Sequence, residues 1–328
     1  MYIMTIRTAE FITPKHPDKL CDRISDSILY EYVKGDRDSR CAIETCGGHS
    51  KIFITGEVTS KFQVSDDRIK EIVSNLTNID DITIHIHQQS PCIAQGVDVG
   101  GAGDQGIMIG YACDENEELV PQEYYLARKL NRFIYQKYPY DGKTQITLDE
   151  NDVRVVASYQ NAPKTELKIL VEEFFSEYPN YNIVEMHCNP AGDWEIGSFQ
   201  ADAGVTGRKL ATDNYGPRVP LGGGAFSGKD VTKVDRSGAY MARKIAVDYL
   251  KKYEAKEVKV ELSYAIGHDK PIQATAIIKY DSGWGKDVKY ITDYDLSPNG
   301  IIEYLQLKDI NYSETAKWGH MGLDFPWN

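Results

Sequence analysis

No stretch of this 328-residue chain is apolar enough, for long enough, to span a membrane. Its opening residues, MYIMTIRTAE, have neither the basic start nor the long apolar core of a secretion signal. The six cysteines, at 21, 41, 46, 92, 113 and 188, contain no C-x-x-C pair. That argues against a disulfide framework or a zinc site and for reduced thiols in a cytoplasmic protein. Positive charge is also scarce, with 37 Lys and Arg against 49 Asp and Glu. General binding to nucleic acid or to an anionic membrane is therefore not expected. No Ser or Cys sits in a recognisable nucleophile motif, so covalent catalysis of the common kinds has no candidate.

The positive charge that is present is concentrated. Between Gly207 and Lys244 there are eight Lys or Arg and three Asp, leaving 29 basic and 46 acidic residues elsewhere. Such an island around a glycine run suits a compact polyanion such as a nucleotide polyphosphate, although a solvated helix face gives the same count. The glycine run itself, LGGGAFSGKD at 221–230, fits G-x-x-x-x-G-K from Gly223. Asp230 then stands where a P-loop needs Ser or Thr for magnesium, and the preceding NYGPRVP cannot be the required buried strand. The run can still bring backbone amides and Lys229 to phosphate oxygens, or be a plain turn.

Hydrophobic periodicity divides the chain into three similar parts, each reading helix, two strands, helix, strand. The first runs CDRISDSILYEYVKG, CAIETC, KIFITGEVTS, SDDRIKEIVSNL and DITIHIHQQS, with Ser65 and Asp66 as capping candidates. The second runs PQEYYLARKLNRFIYQ, TQITLD, DVRVVASYQ, KTELKILVEEFFSEY and YNIVEMHC. The third runs RSGAYMARKIAVDYLKKYE, VKVELSYAI, IQATAIIKY, GKDVKYITDYD and GIIEYLQL, its last helix the least marked. Short turns between strands imply antiparallel pairing with helices layered on one face of each sheet. The expected fold is α+β, with three pseudo-threefold-related domains at 1–100, 101–200 and 201–328. Each is a mostly antiparallel sheet.

Unusual residues collect in the connecting loops, where function is to be sought. In KHPDK, His16 could donate to a leaving oxygen and Asp18 could bind Mg²⁺, or Asp18 could simply cap the helix. Lys229, Lys233 and Arg236 lie on or near one face at a helix start, where a bound anion would relieve their conflict with the helix dipole. Asp235 among them could pair with a neighbour or hold a metal. GAGDQG presents Asp104 as a ribose-hydroxyl partner or as part of a turn. His85 and His87 share a strand face and read as packing or interface residues rather than metal ligands. Trp194 could be core or could stack on a base. This inventory suits displacement on a nucleotide by a substrate that brings its own nucleophile.

HPDK, GAGDQG, TGRK, GGGAFSGKD with KVDRS, SYAIG and a closing ETAKWGHMG…FPW occur in that order. Together they resemble the S-adenosylmethionine synthetase (methionine adenosyltransferase) family of the bacterial and eukaryotic type, over nearly the whole chain. The resemblance implies attack of methionine sulfur on C5′ of ATP, followed by hydrolysis of the released triphosphate to phosphate and diphosphate. It implies that His16 is catalytic, that Asp18 and Asp235 hold two Mg²⁺, and that Glu44 is associated with K⁺. Lys143, Arg208, Lys209 and Lys229 then bind phosphates, and Lys143, Arg208 and Lys229 join His16 in catalysis. Asp104 and Asp141 lie near the ribose, and Trp194 and Ile266 contact the adenosine. Glu57, Gln95, Asp202 and Lys233 face methionine. A homodimer with shared active sites is implied, in some members paired into a tetramer.

The chain departs from the family pattern in four places. Lys15 replaces a glycine before HPDK, only Val99-Gly100 separates QGVD from GAGDQG in a gating loop, Trp194 replaces Phe, and little follows FPW. The alternatives are an impaired family member that binds ATP as a regulatory subunit, and a P-loop-like kinase or NTPase.

Overall fold

The structure, a computed structural model, describes residues 6–89, 101–280 and 286–328. Its strands are β1 (Arg7–Ile12), β2 (Arg40–Gly48), β3 (Lys51–Thr59), β4 (Asp81–Gln88), β5 (Gly106–Cys113), β6 (Gly142–Asp149), β7 (Asp152–Tyr159), β8 (Asn182–Cys188), β9 (Ala203–Val205), β10 (Glu257–Tyr264), β11 (Gln273–Lys279) and β12 (Lys286–Tyr290). The helices are α1 (Pro17–Gly35), α2 (Asp66–Thr77), α3 (Gln122–Lys137), α4 (Lys164–Ser176), α5 (Leu210–Asp213), α6 (Val234–Lys252), α7 (Pro298–Tyr304) and α8 (Tyr312–Thr315).

Local chemistry accounts for the hairpins. His49 and Ser50, between β2 and β3, both take positive φ, the backbone twist that lets a two-residue turn join antiparallel strands. Helices α2 and α4 then cross over before β4 and β8, so those strands pair parallel to β3 and β7. The third part closes differently. With no helix among the described residues between β11 and β12, these strands pair antiparallel, and α7 follows. The expected order of the last two elements is thus reversed there.

Three four-stranded sheets result, ordered β1-β6-β7-β8, β12-β11-β10-β5 and β4-β3-β2-β9. Each part also begins with a strand (β1, β5 or β9) absent from the periodicity reading, and each of these leaves its own part to edge another part's sheet. Hydrogen bonding therefore crosses the divisions near 100 and 201. Buried and half-exposed residues alternate along β7 and β10, as one-sided covering requires. Helix α1 lies on β2 and β9, α3 on β1 and β6, and α6 on β5 and β10.

The closing motif is part of the core. Trp327 is fully buried and stacks on Tyr240 at 3.7 Å between ring centres, while its indole N–H donates to His320 O at 2.8 Å.

Candidate active site

Pro17 opens α1, with its preset φ and missing N–H, and His16 caps it. His16 Nδ1 accepts the Asp18 amide at 3.2 Å. The ring proton therefore sits on Nε2, available as a donor. Burial first, then the charges of Lys209 and Lys143, push the imidazole down to about 3, against Asp18 and Asp202. It is a neutral donor at pH 7. The cap is thus His16 and not Asp18, whose fully buried carboxylate turns elsewhere. Its Oδ1 accepts the Val205 amide at 3.0 Å and meets Arg208 Nε at 3.1 Å, and its Oδ2 pairs with Lys209.

Asp141, just before β6, is buried and accepts the Ser198 amide at 2.8 Å. Burial pushes its carboxyl up to about 6, against those backbone bonds and the charge of Lys143. Trp194 is half-buried near Gly197 and donates to Asn189 at 3.4 Å. His16, Asp18, Asp141, Lys143, Asp202, Arg208 and Lys209 form one cluster by contact or by mutual charge effects.

The second cluster lies around the glycine run. Lys229 Nζ donates to Asp235 Oδ2 at 2.6 Å and Gly224 N to Asp235 Oδ1 at 3.0 Å. A Cβ on Gly223 or Gly224 would come within 2.9 Å of the Asp235 carboxylate, so glycine is required by this close approach. Asp230 tethers the loop. Its Oδ2 accepts the Cys41 amide at 2.7 Å and pairs with Lys233, and its Oδ1 accepts the Thr232 amide at 2.9 Å. This is its structural job in place of a P-loop hydroxyl. Lys229 itself bridges to Ala42 of β2, and Ala42 lies opposite Glu57. Glu44, two residues along β2, shares that face. Asp104 is exposed in a loop tied to the Ile266 loop by Ala102 N to His268 O and Gly267 N to Ala102 O, both 2.8 Å. A Cβ on Gly106 would lie 3.5 Å from Asp235 Oδ1, so that loop borders the same cluster.

Among the described residues, no hydrogen bond or ion pair joins a candidate site side chain of the first cluster to one of the second. The residues expected to face methionine divide accordingly, with Asp202 in the first cluster and Glu57 and Lys233 in the second. Gln95 and Val99-Gly100 lie outside the described residues. Arg236 is not a surface cation. It is fully buried, bonded twice to Asp26 and set 4.4 Å over the Tyr312 ring. His85 and His87 are exposed on β4, with ring centres 6.4 Å apart. Among the described residues no three His, Cys, Asp or Glu gather as a metal cage. Lys15 is half-buried and donates to Leu76 O at 2.9 Å, near the C-terminus of α2. Sequence reasoning passed over Asp22 and Asp26, although Asp18, Asp22 and Asp26 follow one another at intervals of four, which marks a single helix face.

Models of the N-terminal, central and C-terminal domains of S-adenosylmethionine synthetase match residues 4–94, 99–194 and 196–328. The chain is 36% identical to the S-adenosylmethionine synthase of Pelagibacter ubique, over 96% of this chain and 92% of that protein. It is also 36% identical to that of Clostridium tetani, over 98% and 95%. A solved structure described as an unusual S-adenosylmethionine synthetase from Campylobacter jejuni superposes with a TM-score of 0.87 at 29% identity, covering 99% of this chain and 96% of that one. The chain belongs to the S-adenosylmethionine synthetase family.

Proposed function

We propose that this protein makes S-adenosylmethionine from ATP and L-methionine by in-line attack of the sulfur on C5′, then hydrolyses the triphosphate to phosphate and diphosphate. Family membership makes it a methionine adenosyltransferase in class. The observation that carries the finer reading is the convergence of Lys143, Arg208 and Lys209 on His16 and Asp18 at the start of α1. A thioether is a neutral nucleophile and needs no base, so the work lies in holding a highly charged leaving group. Those cations and Lys229 hold the phosphates, and the N–H of neutral His16 faces the departing oxygen. Asp104 and Asp141 take the ribose, Trp194 and Ile266 the adenosine. Asp202, Glu57, Lys233 and Gln95 take methionine.

Metal dependence is general in the family. Mg²⁺ takes one or two carboxylates and completes its shell with phosphate oxygens and water, so Asp18 and Asp235, each beside a phosphate-binding cation, fit two such ions. They would supply charge neutralisation of the triphosphate. Glu44 is assigned to K⁺. Two separate clusters in one chain support a homodimer in which each site combines the first cluster of one subunit with the second of its partner, alone or paired into a tetramer. We take 1–100, 101–200 and 201–328 as its domains and the cytoplasm as its location. Among the described residues no helix is long and apolar enough to cross a membrane. The Lys15 ammonium is engaged by Leu76 O at 2.9 Å, which gives no support to the impaired-subunit reading.

Incubation with ATP, L-methionine, Mg²⁺ and K⁺, read by mass spectrometry, tests the proposal. The expected result is methionine-dependent S-adenosylmethionine with equal phosphate and diphosphate. ATP hydrolysis indifferent to methionine would overturn it.

A further inference from the structure

Helix α1 carries three fully buried carboxylates four residues apart, Asp18, Asp22 and Asp26. Each ends on the backbone of a segment distant in sequence. Asp18 Oδ1 takes the Val205 amide at 3.0 Å, Asp22 Oδ1 the Gly207 amide at 2.8 Å, and Asp26 Oδ1 the Gly228 amide at 2.8 Å. Asp18 and Asp22 lie one helical turn, ~6 Å, apart. They meet Val205 and Gly207 on either side of Thr206, where β9 ends and the chain turns at Gly207 with positive φ. Asp26, a further turn along, meets the glycine loop. The intervening Thr206 amide goes to Thr45 O at 2.9 Å. Close approach is built in, since a Cβ on Gly204 would lie 2.3 Å from the Pro17 carbonyl oxygen.

A buried carboxylate is costly unless paired. Asp22 has Lys19 at 2.9 Å, which Asp213 holds from the other side. Asp26 has Arg236, through bonds of 2.8 and 3.0 Å. Lys19 and Arg236 are 1% and 0% exposed, so both are committed inside the fold.

We propose that Asp22 and Asp26, with Lys19 and Arg236 as fixed counter-charges, are positioning residues for two cation-bearing segments of the chain, one from each candidate cluster. Asp22 sets the arm that carries Arg208 and Lys209, and Asp26 sets the glycine loop that carries Lys229. They act through these backbones and touch no substrate. One rigid helix thereby fixes both segments in a single frame. The effect on ATP rests on the function proposed above, whereas the effect on the segments does not.

Hydrogen exchange of the full-length protein, with Asp22→Ala, Asp22→Asn and Asp26→Ala beside wild type, separates the two. Asp22→Ala is expected to raise exchange at 205–209 by about tenfold or more and to leave 222–229 unchanged, while Asp26→Ala does the reverse. Asp22→Asn, which keeps an acceptor oxygen, recovers most of the protection. Affinity for inorganic tripolyphosphate, measured by calorimetry, falls about tenfold in Asp22→Ala. KM for ATP rises with it, while KM for methionine stays within about twofold. A uniform rise in exchange, or unchanged exchange with unchanged tripolyphosphate binding, would overturn the inference. Local exchange changes in the variants, together with a wild type that makes no S-adenosylmethionine, would leave the inference standing and overturn the function instead. If Asp26→Ala does not fold, the two Asp22 variants decide.

Discussion

Asp141 shows how one buried side chain sets a pH dependence. Its carboxyl titrates near 6 because burial outweighs the amide bonds and the Lys143 charge that favour ionisation. A carboxyl raised from 3.8 takes its proton more readily in the folded state, so acid down to that range does not weaken the fold through this group. In the proposed site, what acid removes is a charged acceptor for a ribose hydroxyl. KM for ATP is therefore expected to climb as pH falls below about 6, and Asp141→Asn to flatten that profile while raising KM at pH 8. An unchanged profile in the variant would remove Asp141 from the nucleotide site. Lys229 and Asp235, paired at 2.6 Å beside the glycine run, give a sharper expectation. Lys229→Ala and Asp235→Asn should each lower turnover by about a hundredfold or more with unchanged circular dichroism. Near-normal turnover in both would count against the site.

At the scale of elements, caps decide where helices begin and what they present. Ser65 Oγ accepts the Arg68 amide at 3.2 Å at the start of α2. Ser65→Ala should cost about 1 kcal/mol in urea unfolding and leave turnover unchanged. A loss of activity there would mean that α2 matters to catalysis in a way its cap does not explain. His16 plays the same capping part on α1, and that is what orients its ring, so capping and the proposed chemistry share one residue. At the opposite end of α2, Lys15 donates to a carbonyl of the last turn. A cation is favourable at a helix C-terminus, which explains how a lysine is accommodated before HPDK.

At the scale of the molecule, the separation of the two clusters makes subunit pairing testable. If each site combines one cluster from each subunit, a dimer of one His16→Asn chain and one Lys229→Ala chain holds one intact site and one doubly damaged site. Co-refolding the two inactive variants in equal amounts should then restore about a quarter of wild-type turnover. No recovery, with mixed dimers confirmed by mass, would place a complete site within each chain.

Most helix and strand types, most hairpins, and the loops in which the candidate residues lie were legible in the sequence because their causes are local. Periodicity, caps and turn residues act over about four residues. KHPDK marked His16 and Asp18 as candidates in the same local way, whereas Arg208 and Lys209 in TGRK entered only through the family resemblance. Tertiary structure alone decided that β1, β5 and β9 edge the sheets of other parts, since a strand's partner is a choice among distant edges. It decided that Asp230 is a tether and Arg236 a buried counter-charge, because the partners of each, Cys41 and Asp26, lie on another part of the chain. It also decided that the candidate residues form two groups rather than one. Residue type determines what a side chain can do, and only the packed chain determines what it faces.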